Sequence, residues 1–181
     1  MDSAQTHHAR SDGIPGAWDW TFLLLLVAAL AGAAWVGLLA YREGVKEEQA
    51  KRMGEAWVQW LSSQAGKRAD DGYGHAPCAA RPGATWGGCR EWLTGPEGPM
   101  TGQRNAFTGA AMRLVTVCDP RDRGTAGMVS LEKVTSLPAG MAVPFIVSPL
   151  TDAEAIDQRL VIRVTACDKG SGSIRIGEPE F

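Results

Sequence analysis

The amino-acid sequence predicts an α+β protein in which a long N-terminal helix, first transmembrane and then amphipathic, precedes a small antiparallel β-sheet head with disulfides. Three observations predict this class. An uncharged apolar run covers residues 20–41, a helical pattern continues after it without proline, and the Gly- and Pro-rich remainder holds short alternating segments and four cysteines. The 181 residues carry a net charge of −2. Such a balance offers no basic footprint for nucleic acid, so we expect no nucleic-acid partner.

Residues 1–19 read as a short polar leader or tail. His7 and His8 lie next to each other there, but a metal site needs further ligands in addition to two adjacent histidines. We therefore interpret this pair as part of a solvated tail and predict no metal site from it.

The run "WTFLLLLVAALAGAAWVGLLAY", residues 20–41, predicts a transmembrane helix. At about 1.5 Å per residue it spans a hydrocarbon core of roughly 30 Å. Trp18 and Trp20 at one end, with Tyr41 and Arg42 at the other, are typical of interfacial anchors. A buried helix of a globular protein and a cleaved secretory signal are the less favoured alternatives.

Small residues recur at four-residue intervals within this run, at Ala29, Ala33 and Gly37. A small-residue face lets helices pack closely in lipid or in a filament core, so these residues are candidates for membrane helix packing. An alanine-rich composition without any packing role explains them equally well.

Residues 42–65 predict an amphipathic extension of the same helix, which we expect to run from Trp20 to Gln64. Charges of both signs interleave on one side, as on a solvated face. The apolar residues recur close to helical spacing on the other side, and we predict that they pack on the head; a partner-binding face is the alternative. These residues are Met53, Trp57, Trp60 and Leu61.

Residues 66–110 form a loop-rich region with Cys78 and Cys89, in which Arg90 to Leu93 predict one or two helical turns. Residues 111–181 alternate as in an antiparallel sheet. Thr151 and Glu154 have capping-box spacing, which predicts a short helical turn. The predicted strands are Ala111–Cys118, Gly127–Val134, Met141–Val147, Gln158–Cys167 and Ser173–Ile176.

Two similar segments, "RLVTVCD" and "IRVTACD", each place a cysteine at the expected end of a strand just before Asp. Equivalent strand ends can meet across a sheet, so we favour a bond between Cys118 and Cys167, which leaves Cys78 to bond Cys89. Four cysteines allow three connectivities, so this pairing is a preference. A four-thiolate zinc site is less favoured because closely spaced ligand pairs are absent.

Residues typical of catalysis do not form a recognisable pattern. His75 is the one histidine outside the tail, and no sequence motif for a nucleophile, a phosphate loop or a zinc protease occurs. Asp70 and Asp71 suit a solvated turn better than a cation site. We expect no enzyme, cofactor, metal or small-molecule substrate.

The orientation of the span receives conflicting signals. Arg42, Lys46, Lys51 and Arg52 follow it while Arg10 precedes it, and the excess of positive charge after the span favours a cytoplasmic head. The even number of cysteines favours an oxidising compartment. We give the cysteines more weight and expect a single-pass membrane protein whose C-terminal head lies outside the cytoplasm.

The whole layout resembles the type IV pilin and pseudopilin superfamily: a leader ending in Gly16, a span continuing into an amphipathic helix, a loop, then a sheet with disulfides. The segment "NAFTGAAMRLV", Asn105–Val115, is similar to the Asn/Asp-x-aromatic-x-Gly turn that opens the sheet in that family. The family has a basic leader, Phe after the Gly and Glu at the fifth mature position; here Ala17 follows Gly16 and Asp19 takes the third position.

The resemblance implies a non-enzymatic, membrane-anchored subunit, minor-pilin-like or pseudopilin-like, of a bacterial envelope filament or secretion system. It also implies an inner-membrane location with a periplasmic or extracellular head. Protein partners in the envelope are then expected, with self-assembly among the options. The alternative is a single-pass envelope protein whose disulfide-stabilised periplasmic head binds or tethers a protein partner. Cleavage after Gly16 would favour the first function and an intact Met1 the second.

Overall fold

The computed structural model describes residues 17–139 and 142–181, so the leader with His7 and His8, and Met141, lie outside the described residues. The described chain has two α-helices, two 3-10 turns and a five-stranded sheet, which confirms the predicted α+β class. The helices are α1 (Ala17–Gln64) and α2 (Trp86–Thr94), the 3-10 turns are Ala76–Cys78 and Arg123–Thr125, and the strands are β1 (Leu114–Val115), β2 (Val129–Ser136), β3 (Phe145–Pro149), β4 (Val161–Cys167) and β5 (Ser173–Gly177).

The described chain divides into two compact units, one ending at Arg42 and one from Glu43 to Phe181, which we call the head unit. In the first unit α1 is long and apolar enough to cross a membrane by length and composition, with a mean hydropathy of 2.5 in its most apolar window. Its large apolar side chains are exposed. The helix begins at Ala17, slightly before the expected start at Trp20.

In the head unit α1 continues from Glu43 and ends at Gln64, as predicted, and the turn that follows includes a bond from Lys67 N to Gln64 O. Two solvent-accessible ion pairs link successive turns: the half-buried Lys51 with Glu47 at 3.2 Å, and the exposed Arg52 with Glu48 at 3.7 Å. Exposed pairs of this spacing contribute only about 0.3–0.5 kcal/mol each. The helix therefore depends on the packing of its apolar face.

The sheet is organised around β2. On one side β2 pairs antiparallel with β4, and β4 pairs antiparallel with β5. On its other side β2 pairs first with β1, which runs parallel to it, and then with β3, which runs antiparallel. The sheet is mostly antiparallel, and β1 and β3 share one of its edges.

The core lies between α1 and one face of the sheet. Alternate residues of β2 and β4 face it, since side chains alternate along a strand. Gly54 lets α1 approach β5 closely, because an added Cβ would lie 2.8 Å from Ile176 Cγ1. Buried members of this cluster include Met53, Trp57, Leu61, Trp86, Leu93, Val129, Leu131, Ile156, Ile162, Val164 and Phe181.

The first predicted strand, Ala111–Cys118, is mostly wrong: only Leu114 and Val115 join the sheet, in parallel. The residues before them bond to an earlier segment, since Met112 N donates to Gln103 O and Ala111 bridges to Arg104. Cys118 therefore lies beyond the end of β1, whereas Cys167 ends β4 as expected.

The other strands form with shifted ends. β2 starts at Val129 instead of Gly127, because the positive φ of 70° at Gly127 is not that of a strand. β4 starts at Val161 instead of Gln158, and Leu160 just before it pairs with Phe181. β3 is Phe145–Pro149 instead of Met141–Val147, and β5 is Ser173–Gly177 instead of Ser173–Ile176.

The two predicted helical turns have different outcomes. Arg90 to Leu93 belong to the longer α2. At Thr151–Glu154 a single hydrogen-bonded turn forms, in which Glu154 N donates to Thr151 O at 3.1 Å, but no helix follows it. Glu154 O instead accepts from Trp86 N and Ile156 N donates to Ala84 O, so this segment pairs with the chain before α2.

Replacing Trp57 with alanine tests the packing of α1 on the sheet. Trp57 is 1% exposed, so the substitution should lower the free energy of unfolding of a Glu43–Phe181 fragment by about 3–5 kcal/mol, through lost burial and a residual cavity. Gln59→Ala, on the exposed side of the same helix, is the control and should change it little. Urea denaturation measures both; equal midpoints for the two variants would mean that Trp57 is not part of the core.

Candidate interaction surfaces of the head unit

The apolar stripe of α1 belongs mainly to the core of its own head unit. Met53, Trp57 and Leu61 are buried, while Trp60 is half-buried. The Trp60 ring centroid lies 5.8 Å from that of Phe181 and 6.2 Å from that of Trp92. The stripe is therefore occupied within the chain, and only part of Trp60 is left accessible to a partner.

Both disulfides join the cysteines that the sequence favoured. Cys118 and Cys167 have Cα atoms 5.3 Å apart, and Cys78 and Cys89 have Cα atoms 4.5 Å apart. The first bond ties the segment after β1 to the end of β4, and the second ties a 3-10 turn to α2. All four cysteines are buried.

The disulfide end of the sheet lies next to the first residues of α1 in the head unit. Lys169, in the turn after Cys167, places its Nζ 2.5 Å from Glu43 Oε1. Ser171 in that turn has a φ of 62°, unusual for a residue with a Cβ, and its buried hydroxyl donates to Asp122 O at 3.0 Å. The two loops at this end are thus linked to each other and to α1.

Phe181 is buried in the core near the start of β4, at the end of that strand opposite Cys167. Phe181 is fully buried and exchanges two backbone hydrogen bonds of 2.7 Å with Leu160. The Arg68 guanidinium lies 3.8 Å from the Phe181 ring centroid, its Nε donates to Cys78 O at 2.8 Å, and its Nη2 donates to Ile156 O. Arg68 therefore joins three segments that are distant in sequence.

Burial shifts the pKa values of two side chains near Phe181, Arg68 and Tyr73. Desolvation of the Arg68 guanidinium lowers its pKa, with an opposing contribution from Tyr73. Burial likewise raises the pKa of the Tyr73 hydroxyl, and the positive charge of Arg68 opposes that shift. The sequence does not predict the burial of Arg68 or Tyr73, because both lie in a polar turn region without the periodic pattern that would indicate a buried face.

The turn that carries the family resemblance is built around Asn105, which is 1% exposed. Its Oδ1 accepts from Phe107 N at 2.8 Å and Thr108 N at 3.0 Å, and its Nδ2 donates to Ala126 O at 2.6 Å. Gly127 must be glycine, since it has a positive φ and an added Cβ would lie 2.6 Å from Phe107 Cδ2. The turn therefore connects the chain before β1 to the chain before β2.

The predicted membrane-packing residues Ala29, Ala33 and Gly37 lie in the first unit on α1 and are exposed. Around Gly37 nothing lies within 4 Å of a built Cβ. Their role in helix packing stays a prediction.

A cavity of about 200 Å³ opens at the β1 edge of the head unit. Its apolar wall comes from Trp57 of α1, Met100, Met112 and Leu114. Arg104 also lines it and donates from Nη1 to Gly109 O at 3.1 Å. Thr94 of α2 contributes a fourth segment to the lining. Because the four segments are separate in sequence, no local sequence pattern could have revealed the cavity.

The exposed apolar side chains of the head unit are concentrated near β3. Val143, Phe145 and Ile146 are 55%, 39% and 52% exposed, and the other large ones among the described residues of this unit are Val45 and Val117. The Phe145 ring centroid lies 5.4 Å from Arg163 Cζ. The residue pattern predicts a strand here but gives no sign that it forms an exposed edge of the sheet.

Polar candidates from the sequence do not come together. Among residues 17–139 and 142–181 no group of three His, Cys, Asp or Glu side chains could hold a metal ion. His75 packs against aromatic rings, with centroid distances of 4.6 Å to Trp92 and 5.3 Å to Tyr73. Asp70 and Asp71 are exposed.

Comparison of the chain with protein-family models, with curated proteins and with solved structures finds no match.

Removing the two disulfides separately should destabilise the head unit unequally. The Cys118–Cys167 bond spans a sequence separation of 49 and the Cys78–Cys89 bond one of 11. The chain-entropy relation then gives a loss of about 4 kcal/mol for the double serine variant of the first pair and about 3 kcal/mol for the second. Urea denaturation checks the order of the two losses, and non-reducing peptide mapping checks the pairing. A peptide that links Cys78 or Cys89 to Cys118 would contradict the structure.

Proposed function

We propose that the chain is a membrane-anchored, non-enzymatic, pilin-like subunit of a bacterial envelope filament or secretion system. The observation that carries the proposal is that α1 has two roles, as the candidate membrane span and as part of the core of the head unit. From Trp20 to Tyr41 the helix is almost wholly apolar and exposed, and from Met53 to Leu61 the same helix contributes to the core of the head unit. A subunit built in this way couples its head to its membrane segment through one continuous helix, which suits assembly through the helix and display of the head.

The two disulfides support a head on the periplasmic or extracellular side. Disulfides persist in oxidising compartments and are rare in the cytosol. All four cysteines are used in bonds, and we give this observation more weight than the positive charges after the span.

The buried polar side chains support a structural role. Arg68 and Asn105 direct their donors at backbone carbonyl oxygens, and Asn105 Oδ1 accepts from backbone amides. Catalysis would instead require such groups to face a substrate.

Crosslinking of spheroplasts tests both the orientation and the assembly. The probe is bis(sulfosuccinimidyl) suberate, an amine-reactive crosslinker that does not cross the inner membrane. Lys67 and Lys169 are exposed in the head unit and would react if the head lies outside. We expect a ladder of homo-oligomers on denaturing gels, with N-terminal sequencing of the mature chain starting at Ala17.

Other outcomes of this experiment discriminate between the hypotheses. A head modified only after the membrane is lysed would contradict the orientation. A modified head without a ladder, on a chain that retains Met1, would favour a single-pass envelope protein that tethers another protein.

A further inference from the structure

The cavity at the β1 edge is lined by two residues whose polar groups make no hydrogen bond within the described chain. Among the described residues, four buried side-chain nitrogen or oxygen atoms have no hydrogen-bond partner. Two of the four, Trp57 Nε1 and Gln103 Oε1, belong to residues that line this one cavity. A buried donor or acceptor without a partner is costly, and native proteins contain few of them. A donor and an acceptor at the same cavity point to a ligand that pairs with both.

The two groups require opposite partners. The indole N–H of Trp57 can only donate, and the amide oxygen of Gln103 can only accept. Trp57 is 1% exposed, so its packing fixes the direction of its donor. Gln103 is half-buried, and its Nε2 donates to Met100 Sδ at 3.3 Å, which is a weak acceptor. Since the terminal torsion of glutamine is broad, this amide can turn toward a ligand.

The rest of the lining sets the size and polarity of the ligand. Met100, Met112 and Leu114 supply an apolar wall, and methionine adapts to irregular shapes and makes favourable contacts with aromatic rings. The cavity measures about 200 Å³. A cavity of about 150 Å³ holds benzene, whereas one water molecule takes about 30 Å³ of the liquid. The space therefore suits a ligand with an apolar body and one polar end better than a single water molecule.

A neutral carboxamide meets these requirements and an ionised carboxylate does not. A carboxamide presents a C=O acceptor and an N–H donor side by side. A carboxylate only accepts, so it would pair with Trp57 Nε1 but repel Gln103 Oε1. Arg104 also lines the cavity and would favour an anion, but it is exposed, so water screens its charge, and its Nη1 donates to Gly109 O. The buried donor and acceptor together therefore favour a neutral group.

We propose that the cavity binds a small neutral carboxamide with an apolar body. The carbonyl oxygen of the ligand accepts from Trp57 Nε1, its amide N–H donates to Gln103 Oε1, and its apolar body contacts the wall formed by Met100, Met112 and Leu114. The cavity lies wholly within the head unit. Such a ligand-binding role of the head goes beyond the proposed function and does not require the chain to assemble.

Titration of the full chain in detergent micelles with benzamide tests the site. The readout is two-dimensional NMR of the tryptophan indole N–H groups. The chain has seven tryptophans, and the Trp57→Phe variant identifies the Trp57 signal by its loss. We expect a saturable downfield shift of the Trp57 indole proton, because a new hydrogen bond deshields it. Trp86 is also 1% exposed but does not line this cavity, so its signal should not move.

Two related compounds separate the hydrogen bonds from the apolar contacts. Toluene has a similar ring without a polar group, and benzoate carries a carboxylate on the same ring. Both should bind roughly tenfold more weakly than benzamide or worse, since each leaves one or both buried groups unpaired. Benzoate that binds as tightly as benzamide would mean that Arg104 selects an anion, and equally tight toluene would mean that the polar groups select nothing. Either result would overturn the proposal.

The Gln103→Met variant removes the acceptor and keeps a side chain of similar length. It should raise the Kd for benzamide by roughly tenfold or more, because the ligand N–H is then buried without a partner. Gln64→Met is the matched control, since Gln64 is also half-buried but does not line the cavity, and it should leave the Kd unchanged. A cooperative melting transition in each variant shows that both chains are folded.

Three results would contradict the inference. Benzamide could produce no saturable shift at Trp57, or a shift that Trp86 shares at the same concentrations. The Trp57 indole could already be hydrogen-bonded before benzamide is added and stay unaffected by it, as when Gln103 or a buried water pairs with it. An unchanged Kd in Gln103→Met would overturn the assignment of the acceptor. None of these results depends on homo-oligomers, so the proposed function is tested separately.

Discussion

The burial of one face of α1 against the sheet is the interaction on which the rest of the head unit depends. Most of the stability of a helix in a protein comes from tertiary packing of its apolar face. The inner side chains of the sheet, such as Val129 and Ile162, likewise need a cover to leave water. Trp57 and Leu61 provide it, at 1% and 0% exposure. Neither layer is expected to be stable without the other, so the helix and the sheet form one cooperative structure.

The remaining features fix the two ends of this contact. Near the start of α1 in the head unit, Lys169 pairs with Glu43 and the Cys118–Cys167 bond holds the sheet end. Near the end of α1, Arg68 holds Phe181 and the carbonyl of Cys78. Exposed ion pairs contribute little stability, whereas the buried guanidinium satisfies backbone acceptors that would otherwise be costly to bury. The polar groups thus specify where the apolar layers meet.

The parts of the fold that local patterns control could be predicted from the sequence. The charge-free run, the helical stripe and the end of α1 at Gln64 follow from periodicity, and alternation located four of the five strands to within a few residues. The two-residue β1 could not be predicted, since its neighbours pair with Gln103 and Arg104. The cavity and the Arg68–Phe181 contact depend on segments that meet only in three dimensions.

Native-state hydrogen exchange of the full chain in detergent micelles tests the central claim most directly. If α1 and the sheet form one cooperative structure, the amides from Ala50 to Leu61 should exchange with the same free energy of opening as those of β2 and β4, because both are protected until global unfolding. Rapid exchange of the α1 amides while β2 and β4 stay protected would contradict the account, since the sheet would then be stable without the helix.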